Sequence, residues 1–455
     1  MSNITVDFSK SIGKMKPMHA VNNGPSVHFS DVEKNTVTIY NSNFQRFVEA
    51  GFPYLRTHDA SFYPRYGLEH TVDVARIFPD FDADVDNPAS YDFVCTDDYM
   101  RCCESAGAKV FYRLGARIEH EIKKYHIFPP KDNKKWAQIC EHIIRHYTEG
   151  WADGFNMDME YWEIWNEPDL GWETPEKSPT WRGTKEEFFD LYEVASKHLK
   201  EKFPHLKIGG PAIAGSYEWS EMFLSEMQKR NVKMDFFSWH IYTNEIGKVS
   251  KRAEWVRELL DKYGHNDAES ILNEWNYVLE WVGEGLEYSR HTHWNNKGAS
   301  FNLAVMCEGQ RTSCDMLMYY DARPTNGWNG LFDPLTPGKA LKGFYPFVMF
   351  NKLYKLGEYA DCTADTDLHI CAAKGNDGKA VMFTHYNDTE ETETKNVTLN
   401  LKGFGKDAVT KAKWYLLDDN HNLEYMYEIE FSGDEFKWSA DMPNYTSYMI
   451  EFING

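Results

Sequence analysis

Eight short apolar runs, each followed by a stretch with helical spacing, fill the first three quarters of the chain. They cover residues 16–22, 53–59, 108–115, 160–167, 208–214, 234–243, 270–276 and 315–321. The stretches between them read as helices. Trp136, Ile139, Cys140, Ile143, Ile144 and Tyr147 recur at i, i+3, i+4 and i+7, and Asp132 stands ahead of them as a cap. Thr184 and Glu187 form a capping box before the stripe Phe188, Leu191, Tyr192, Ala195 and Leu199. Val249, Ala253, Val256, Leu260 and Tyr263 make another stripe, stopped by Gly264. A strand followed by a helix, eight times over, predicts an α/β fold, a (β/α)8 TIM barrel, over residues 13–357.

The pattern changes near Gly357. Alternating segments such as 380–384, 413–417 and 448–452, separated by turn clusters like Gly375-Asn376-Asp377-Gly378, predict a C-terminal β-sandwich domain over 358–455. Residues 4–8 also alternate, so the N-terminal strand, within 1–12, is expected to join that sandwich.

Composition narrows the partners. The formal net charge of −21 is spread along the chain and opposes binding to nucleic acid or an anionic membrane. Aromatic residues make up 15%, and amphipathic Trp and Tyr rings suit the C–H faces of sugars as well as ordinary packing. The N-terminus has neither a basic start nor an apolar segment, and no stretch reaches the roughly 18 apolar residues of a membrane span, so a soluble, cytoplasmic protein is expected. Eight cysteines without paired spacing read as reduced core thiols, and the sequons at Asn3, Asn387, Asn396 and Asn444 then carry little meaning.

Chemistry enters at two of the apolar runs. Tyr161-Trp162-Glu163-Ile164-Trp165-Asn166-Glu167-Pro168-Asp169 ends abruptly in Asn-Glu-Pro, and Ser270-Ile271-Leu272-Asn273-Glu274-Trp275-Asn276 again ends a short run with glutamate. Strand ends are where barrel enzymes display catalytic groups, and cleavage of a glycosidic bond needs two carboxyl groups in different protonation states. Glu167 and Glu274 are therefore the candidate pair. Glu163 shares strand parity with Glu167, lies deeper, and is expected to pair with Arg56 or Arg113. His58 and Asp59 read equally as pocket ligands or as a structural hydrogen-bonded pair.

Other constellations are weaker. Gly209-Gly210-Pro211 through Gly215 breaks the dinucleotide fingerprint and reads as a barrel loop, so no nucleotide cofactor is expected. His291 and His293 lack a third metal ligand and read as surface histidines, leaving no metal site. Asp82-Ala83-Asp84-Val85-Asp86 lacks the Gly and distal Glu of a calcium loop and reads as an acidic loop over the barrel, with shaping of the pocket rim as its alternative role.

Trp165-Asn166-Glu167-Pro168 and Asn273-Glu274-Trp275-Asn276 resemble the fourth-strand acid/base and seventh-strand nucleophile motifs of clan A glycoside hydrolases, with family 39 as the nearest match. The resemblance implies a retaining enzyme in which Glu167 is the acid/base, Glu274 the nucleophile, and Asn166 the partner of the sugar 2-hydroxyl. Ser238-Trp239-His240-Ile241-Tyr242-Thr243 resembles the sixth-strand element of the family's β-xylosidases, which implies His240 in the sugar pocket and Tyr242 bonded to the nucleophile. Leu55-Arg56-Thr57-His58-Asp59 resembles the second-strand element of the glycone pocket. Members of the α-L-iduronidase type carry a basic residue where this chain has Tyr242, so a carboxylated sugar is disfavoured. The eighth strand lacks the usual tryptophan platform, a role left to Tyr320 or Trp328. The resulting expectation is an exo-acting β-xylosidase-like enzyme on short plant-derived oligosaccharides. Alternatives are a β-glucosidase, β-galactosidase, or arabinosyl- or iduronidase-type activity, or a catalytically idle sugar-binding protein. A homo-oligomer is left open.

Overall fold

The computed structural model describes residues 2–59 and 70–454, so the terminal residues of the expected outer segments, 1 and 455, lie outside the described residues. After an opening strand β1 (Ser2–Lys14), eight parallel strands close into a barrel. They are β2 (Ala20–Asn22), β3 (Tyr54–Thr57), β4 (Lys109–Leu114), β5 (Tyr161–Ile164), β6 (Lys207–Ile213), β7 (Phe236–Tyr242), β8 (Glu269–Asn276) and β9 (Met316–Tyr319). Each falls within or overlaps one of the eight apolar runs. The first run is the most shortened. Its lysine leaves the ladder and donates its ammonium to the Thr312 and Cys314 carbonyls at 2.7 and 2.8 Å, tying the entry of β2 to the loop ahead of β9.

Successive strand residues face opposite ways. Phe111, Tyr161, Phe236, Ile271 and Met316 point inward and seal the barrel floor with Ala20 and Met318. Their neighbours Tyr112 and Trp162 point outward and stack with ring centroids 5.2 Å apart under the helices. The helix Asn133–Glu149 buries Trp136, Ile139, Cys140, Ile143, Ile144 and Tyr147 there, each worth about 1.5–3 kcal/mol for the larger apolar side chains. Its cap is Asp132, whose Oδ1 accepts from the Lys134 and Lys135 amides at 2.8 and 3.2 Å. Thr184 and Glu187 form a reciprocal capping box before Lys185–Lys202.

The remaining strands are β10 (Glu358–Ala364), β11 (Leu368–Gly375), β12 (Gly378–His385), β13 (Thr394–Lys402), β14 (Val409–Leu417), β15 (Asn422–Ser432), β16 (Glu435–Pro443) and β17 (Ser447–Asn454). With β1 they form one sheet in the order β15-β14-β17-β12-β11-β10-β1-β13-β16. β1 sits between β10, which it pairs antiparallel, and β13, which it pairs parallel. The sandwich is thus a single sheet curled on itself. Trp414 of β14 meets Trp438 of β16 with centroids 4.5 Å apart, and Phe431 of β15 meets Phe436 of β16 at 4.6 Å, although β16 lies at the opposite edge of the ladder. All eight cysteines are buried, and among the described residues no helix is long and apolar enough to cross a membrane.

Candidate active site

One layer above the floor, the barrel interior turns polar around Arg56, which is fully buried. Its guanidinium donates to Glu163 Oε2 at 2.7 Å, Asn22 Oδ1 at 3.0 Å, Asn166 Oδ1 at 2.7 Å and Glu274 Oε1 at 2.7 Å. Glu163 Oε1 accepts from Ser238 Oγ at 2.6 Å and Asn273 Nδ2 at 2.5 Å. A carboxylate so enclosed is a structural anchor, its burial offset by charge and hydrogen bonds. Arg113, the other partner considered for it, binds Asp73 at 2.6 Å instead.

Glu167 reaches the cavity through an unusual backbone. Trp165 and Glu167 both hold positive φ, 75° and 50°. Such conformations are costly for non-glycine residues and persist where the surroundings enforce them. The enforcement is visible: the Glu167 amide donates to Ala212 O at 2.9 Å, and Thr180 Oγ1 donates to Glu167 O at 2.6 Å. Gly115, at φ 137°, is needed beside this turn, because a Cβ there would lie 3.1 Å from Trp165 Cα. Asp169 staples the turn to the loop after β6, its carboxylate accepting from the amides of Ala214, Gly215 and Ser216 at 2.8, 3.0 and 2.9 Å.

Glu274 owes its orientation to an irregularity in β8. Trp239 pairs with Leu272 but the next residue, His240, pairs with Glu274, so β8 carries one more residue than β7. The same excess exists against β9, where Leu272 matches Leu317 and Trp275 matches Tyr319. This bulge lets both Asn273 and Glu274 reach the interior, which a regular strand forbids. Glu274 Oε1 receives Arg56, with His58 Nε2 at 3.5 Å, and Oε2 receives the Tyr242 hydroxyl at 2.8 Å. Burial acts to raise the Glu274 pKa, yet His240, His58, Arg56 and the Tyr242 hydrogen bond outweigh it and push it down to about 2. Burial and the neighbouring carboxylates lift the Tyr242 phenol well above its usual value, so it stays a donor.

His240 lies between the two glutamates, with Nδ1 2.8 Å from Glu167 Oε1 and 3.5 Å from Glu274 Oε2. One ligand atom from each of Glu167, His240 and Glu274 lies within 4.8 Å of the others. Burial lowers the His240 pKa, but the Glu274 charge, the Glu167 hydrogen bond and the Glu167 charge more than compensate and leave it raised.

The two glutamates open into a cavity of about 650 Å³, whose walls include His58, Tyr242, Trp281, Tyr320 and Trp328, together with Asp169 and the 214–216 loop. Tyr242, Trp281 and Trp328 form an aromatic cluster with centroids 5.2, 5.5 and 5.8 Å apart. Of the residues singled out in the sequence, Glu167, Glu274, His58, Tyr242, Tyr320 and Trp328 line this cavity. Asp59 stands behind His58, bonded to its Nδ1 at 2.9 Å and to Arg323 at 3.0 Å. Asn166 and His240 are buried and do not line the cavity, and among the described residues each has one side-chain nitrogen, Nδ2 and Nε2, without a hydrogen-bond partner. Trp281, Asp169 and the Arg56 bond to Glu274 were not anticipated. A charged residue inside the apolar run 53–59 was a usable signal for Arg56, whereas Trp281 sits in an aperiodic loop that offers none.

Three minor readings are corrected or refined. Residues 82–86 do not line the cavity; Asp82 pairs with Lys131 and the Ala83 carbonyl accepts from Lys135, at the start of the helix after β4. His293 is buried and bonded to Tyr277 O at 2.8 Å, while His291 is exposed, so they do not form a surface pair. Among the described residues, Glu167, His240 and Glu274 are close enough to share a cation, but Arg56 and Tyr242 already occupy both oxygens of Glu274 and His240 Nδ1 is engaged by Glu167.

Residues 4–275 match the model of "Glycosyl hydrolases family 39". The chain is 35% identical over 140 residues to a beta-xylosidase of Geobacillus stearothermophilus, covering 30% of this chain and 26% of that protein. It is 28% identical over 257 residues to a beta-xylosidase of Caldicellulosiruptor saccharolyticus, covering 53% and 46%. The matches thus span less than half the length of these curated relatives. In fold it is similar to a glucosidase from Croceicoccus marinus, with a TM-score of 0.79, 21% identity, and coverage of 100% of this chain and 99% of that one.

Proposed function

The chain belongs to glycosyl hydrolases family 39, a family of retaining clan A glycosidases, and from that premise we propose that Glu274 and Glu167 hydrolyse a β-glycoside by double displacement. The observation that carries this reading is the placement of Glu167, His240 and Glu274 ligand atoms within 4.8 Å of one another. Direct attack by a carboxylate calls for a carboxyl spacing of about 5–5.5 Å, whereas a water between the groups calls for about 6.5–9.5 Å.

Each residue has a part in that reaction. Glu274, kept ionised by Arg56, His58, His240 and Tyr242, attacks the anomeric carbon. Glu167 gives its proton to the departing oxygen, leaving a glycosyl ester on Glu274. Glu167 then takes a proton from water, which displaces Glu274 from the same face the leaving group left, restoring the β configuration. His240 holds the Glu167 carboxyl through this exchange, and the free Nδ2 of Asn166 is the donor for the sugar 2-hydroxyl.

The substrate is a neutral glycone, with a β-xylosidase-like, exo-acting preference for short plant-derived oligosaccharides. Two things support this: the relatives named beta-xylosidase, and the lack of Lys or Arg among the described cavity-lining residues, where a uronic acid would call for a cation. Residues 13–357 are the catalytic unit in this reading, and 358–455 with the N-terminal strand are the accessory unit. The test is turnover of a panel of aryl β-xyloside, β-glucoside, β-galactoside, α-L-arabinoside and α-L-iduronide by the purified protein, with proton NMR of the first-formed anomer. Fastest turnover of the xyloside with retention is expected. An inverted anomer removes Glu274 as nucleophile, and sugar binding without turnover of any glycoside makes the protein a binding module.

A further inference from the structure

The loop joining β12 to β13, two strands that are not neighbours in the curled sheet, lands on the barrel beside the site. Asp388, near its tip, receives the Lys297 ammonium at 2.6 Å, the Tyr277 hydroxyl at 3.0 Å and the Asn244 amide. Tyr386, two residues earlier, donates its hydroxyl to Asn244 O at 2.9 Å. Glu390, two residues later, is met by the Tyr288 hydroxyl and by Lys297 at 3.2 Å. Lys297 is itself nearly buried, its ammonium 5.1–5.7 Å from the ring centres of Tyr277, Tyr288 and Tyr445. Burial alone would lower its pKa, but the hydrogen bonds to Asp388 and Tyr288 raise it, so it stays charged.

The residues gripped are the exits of the two strands that carry the nucleophile and its hydrogen-bond donor. Asn244 is two residues beyond Tyr242, and Tyr277 is three beyond Glu274. The exits are also tied to each other, Thr243 N donating to Asn276 O and Val278 N to Thr243 O, both at 3.3 Å. Asn276 Nδ2 carries the connection onward to the Tyr320 and Trp328 carbonyls at 2.8 and 3.0 Å, so the same knot fixes two cavity walls. These two hydrogen bonds beyond the ladder are long, whereas the contacts to Asp388 are charged and partly desolvated, and add a restraint where the pairing of Tyr242 with Asn276 ends.

From this geometry we infer that Asp388 is a positioning residue of the active site: the sheet, through one carboxylate, sets the separation of the Tyr242 and Glu274 strand ends. The inference rests on the reading of Glu274 as nucleophile. Glu274 is faced by Arg56 from β3 and His58 just after it, Glu167 from the loop after β5, His240 and Tyr242 from β7, and Tyr320 just after β9. Of these, the Tyr242 bond is the one that a shift between the β7 and β8 exits lengthens most directly.

The test compares full-length wild type, Asp388→Ala, Asp388→Asn and Tyr277→Phe. The measurements are kcat and KM on an aryl glycoside, the acid limb of the kcat/KM profile, and deuterium exchange in peptides covering 242–245 and 275–279. Asp388→Ala is expected to lower kcat roughly tenfold with KM within about twofold, because small misplacements of reacting groups are costly. Its acid limb moves to higher pH as Glu274 loses its donor, and exchange accelerates in both peptides. Asp388→Asn, which still accepts from Tyr277, is expected to recover part of kcat. A lower melting temperature with unchanged kcat and acid limb overturns the inference and leaves Asp388 a structural contact. If Asp388→Ala does not fold, Tyr277→Phe, which loses only a hydroxyl, decides by the same readouts. If wild type turns over no glycoside, the enzymatic reading fails, and unchanged exchange at 275–279 in the variants would separately remove the clamp.

Discussion

The Tyr242 hydroxyl donates to Glu274 Oε2 at 2.8 Å, while Arg56 holds the other oxygen at 2.7 Å. The carboxylate is thereby held at one oxygen by a neutral donor and at the other by a cation. Neither donor can be lost without changing the charge or the direction of the nucleophile.

Tyr242→Phe removes one of these donors and leaves the ring in its aromatic cluster. A hydrogen bond to a charged group is worth about 1.5–3 kcal/mol. Steady-state kinetics should show kcat lower by about ten- to a hundredfold, with the melting temperature little changed. Kinetics equal to wild type would mean that the contact does not act in the reaction.

The two glutamates should separate by chemical rescue. Glu274→Gly should be inactive on every glycoside, since no ester can form. Glu167→Ala should lose about 10²–10⁴-fold on substrates with poor leaving groups and far less on activated aryl glycosides. Azide should rescue Glu167→Ala and yield a β-glycosyl azide, identifiable by NMR. An active Glu274→Gly beside a Glu167→Ala silent on activated substrates would reverse the assignment.

Arg56→Met should destabilise the fold by about 3–5 kcal/mol, because it strands Glu163 and Glu274, two buried carboxylates, without their cation. Denaturant unfolding measures this directly. A loss under about 1 kcal/mol would show that water or relaxation replaces the guanidinium.

Stability should also report the ionisation of the site. Glu274 has a folded pKa of about 2, below the unfolded value near 4.3. Its contribution is therefore present above pH ~4.3 and is lost as pH falls toward 2. His240 has a raised folded pKa, so its contribution is complete below the unfolded value of about 6.5 and disappears as pH rises through the folded one. The melting-temperature difference between wild type and Glu274→Gln should narrow from pH ~4 to ~2. A constant difference across that range would contradict the depressed Glu274 pKa.

The sequence by itself determined the barrel, because eight apolar runs alternating with amphipathic stripes have few other ways to bury both faces of each strand. It also placed Glu167 and Glu274 at the ends of the fourth and seventh barrel strands, and it put Glu163 deeper than Glu167 on the same face, against Arg56 or Arg113, between which only the structure chose. Those features are local periodicities, and periodicity survives in one dimension. What only the tertiary structure decided is relational. The bulge that turns both Asn273 and Glu274 inward exists only as one residue too many against β7 and β9, and nothing in the run 270–276 marks it. The left-handed turn at Glu167 is set by Ala212 and Thr180, which lie 45 and 13 residues away and satisfy its backbone. Trp281 joins the cavity because the loop after β8 folds back onto Tyr242, and Asp388 arrives from a separate sheet. That sheet curls until Trp414 meets Trp438 across a ladder in which their strands are never paired, since only closure covers aromatic faces that an open sheet would leave in water.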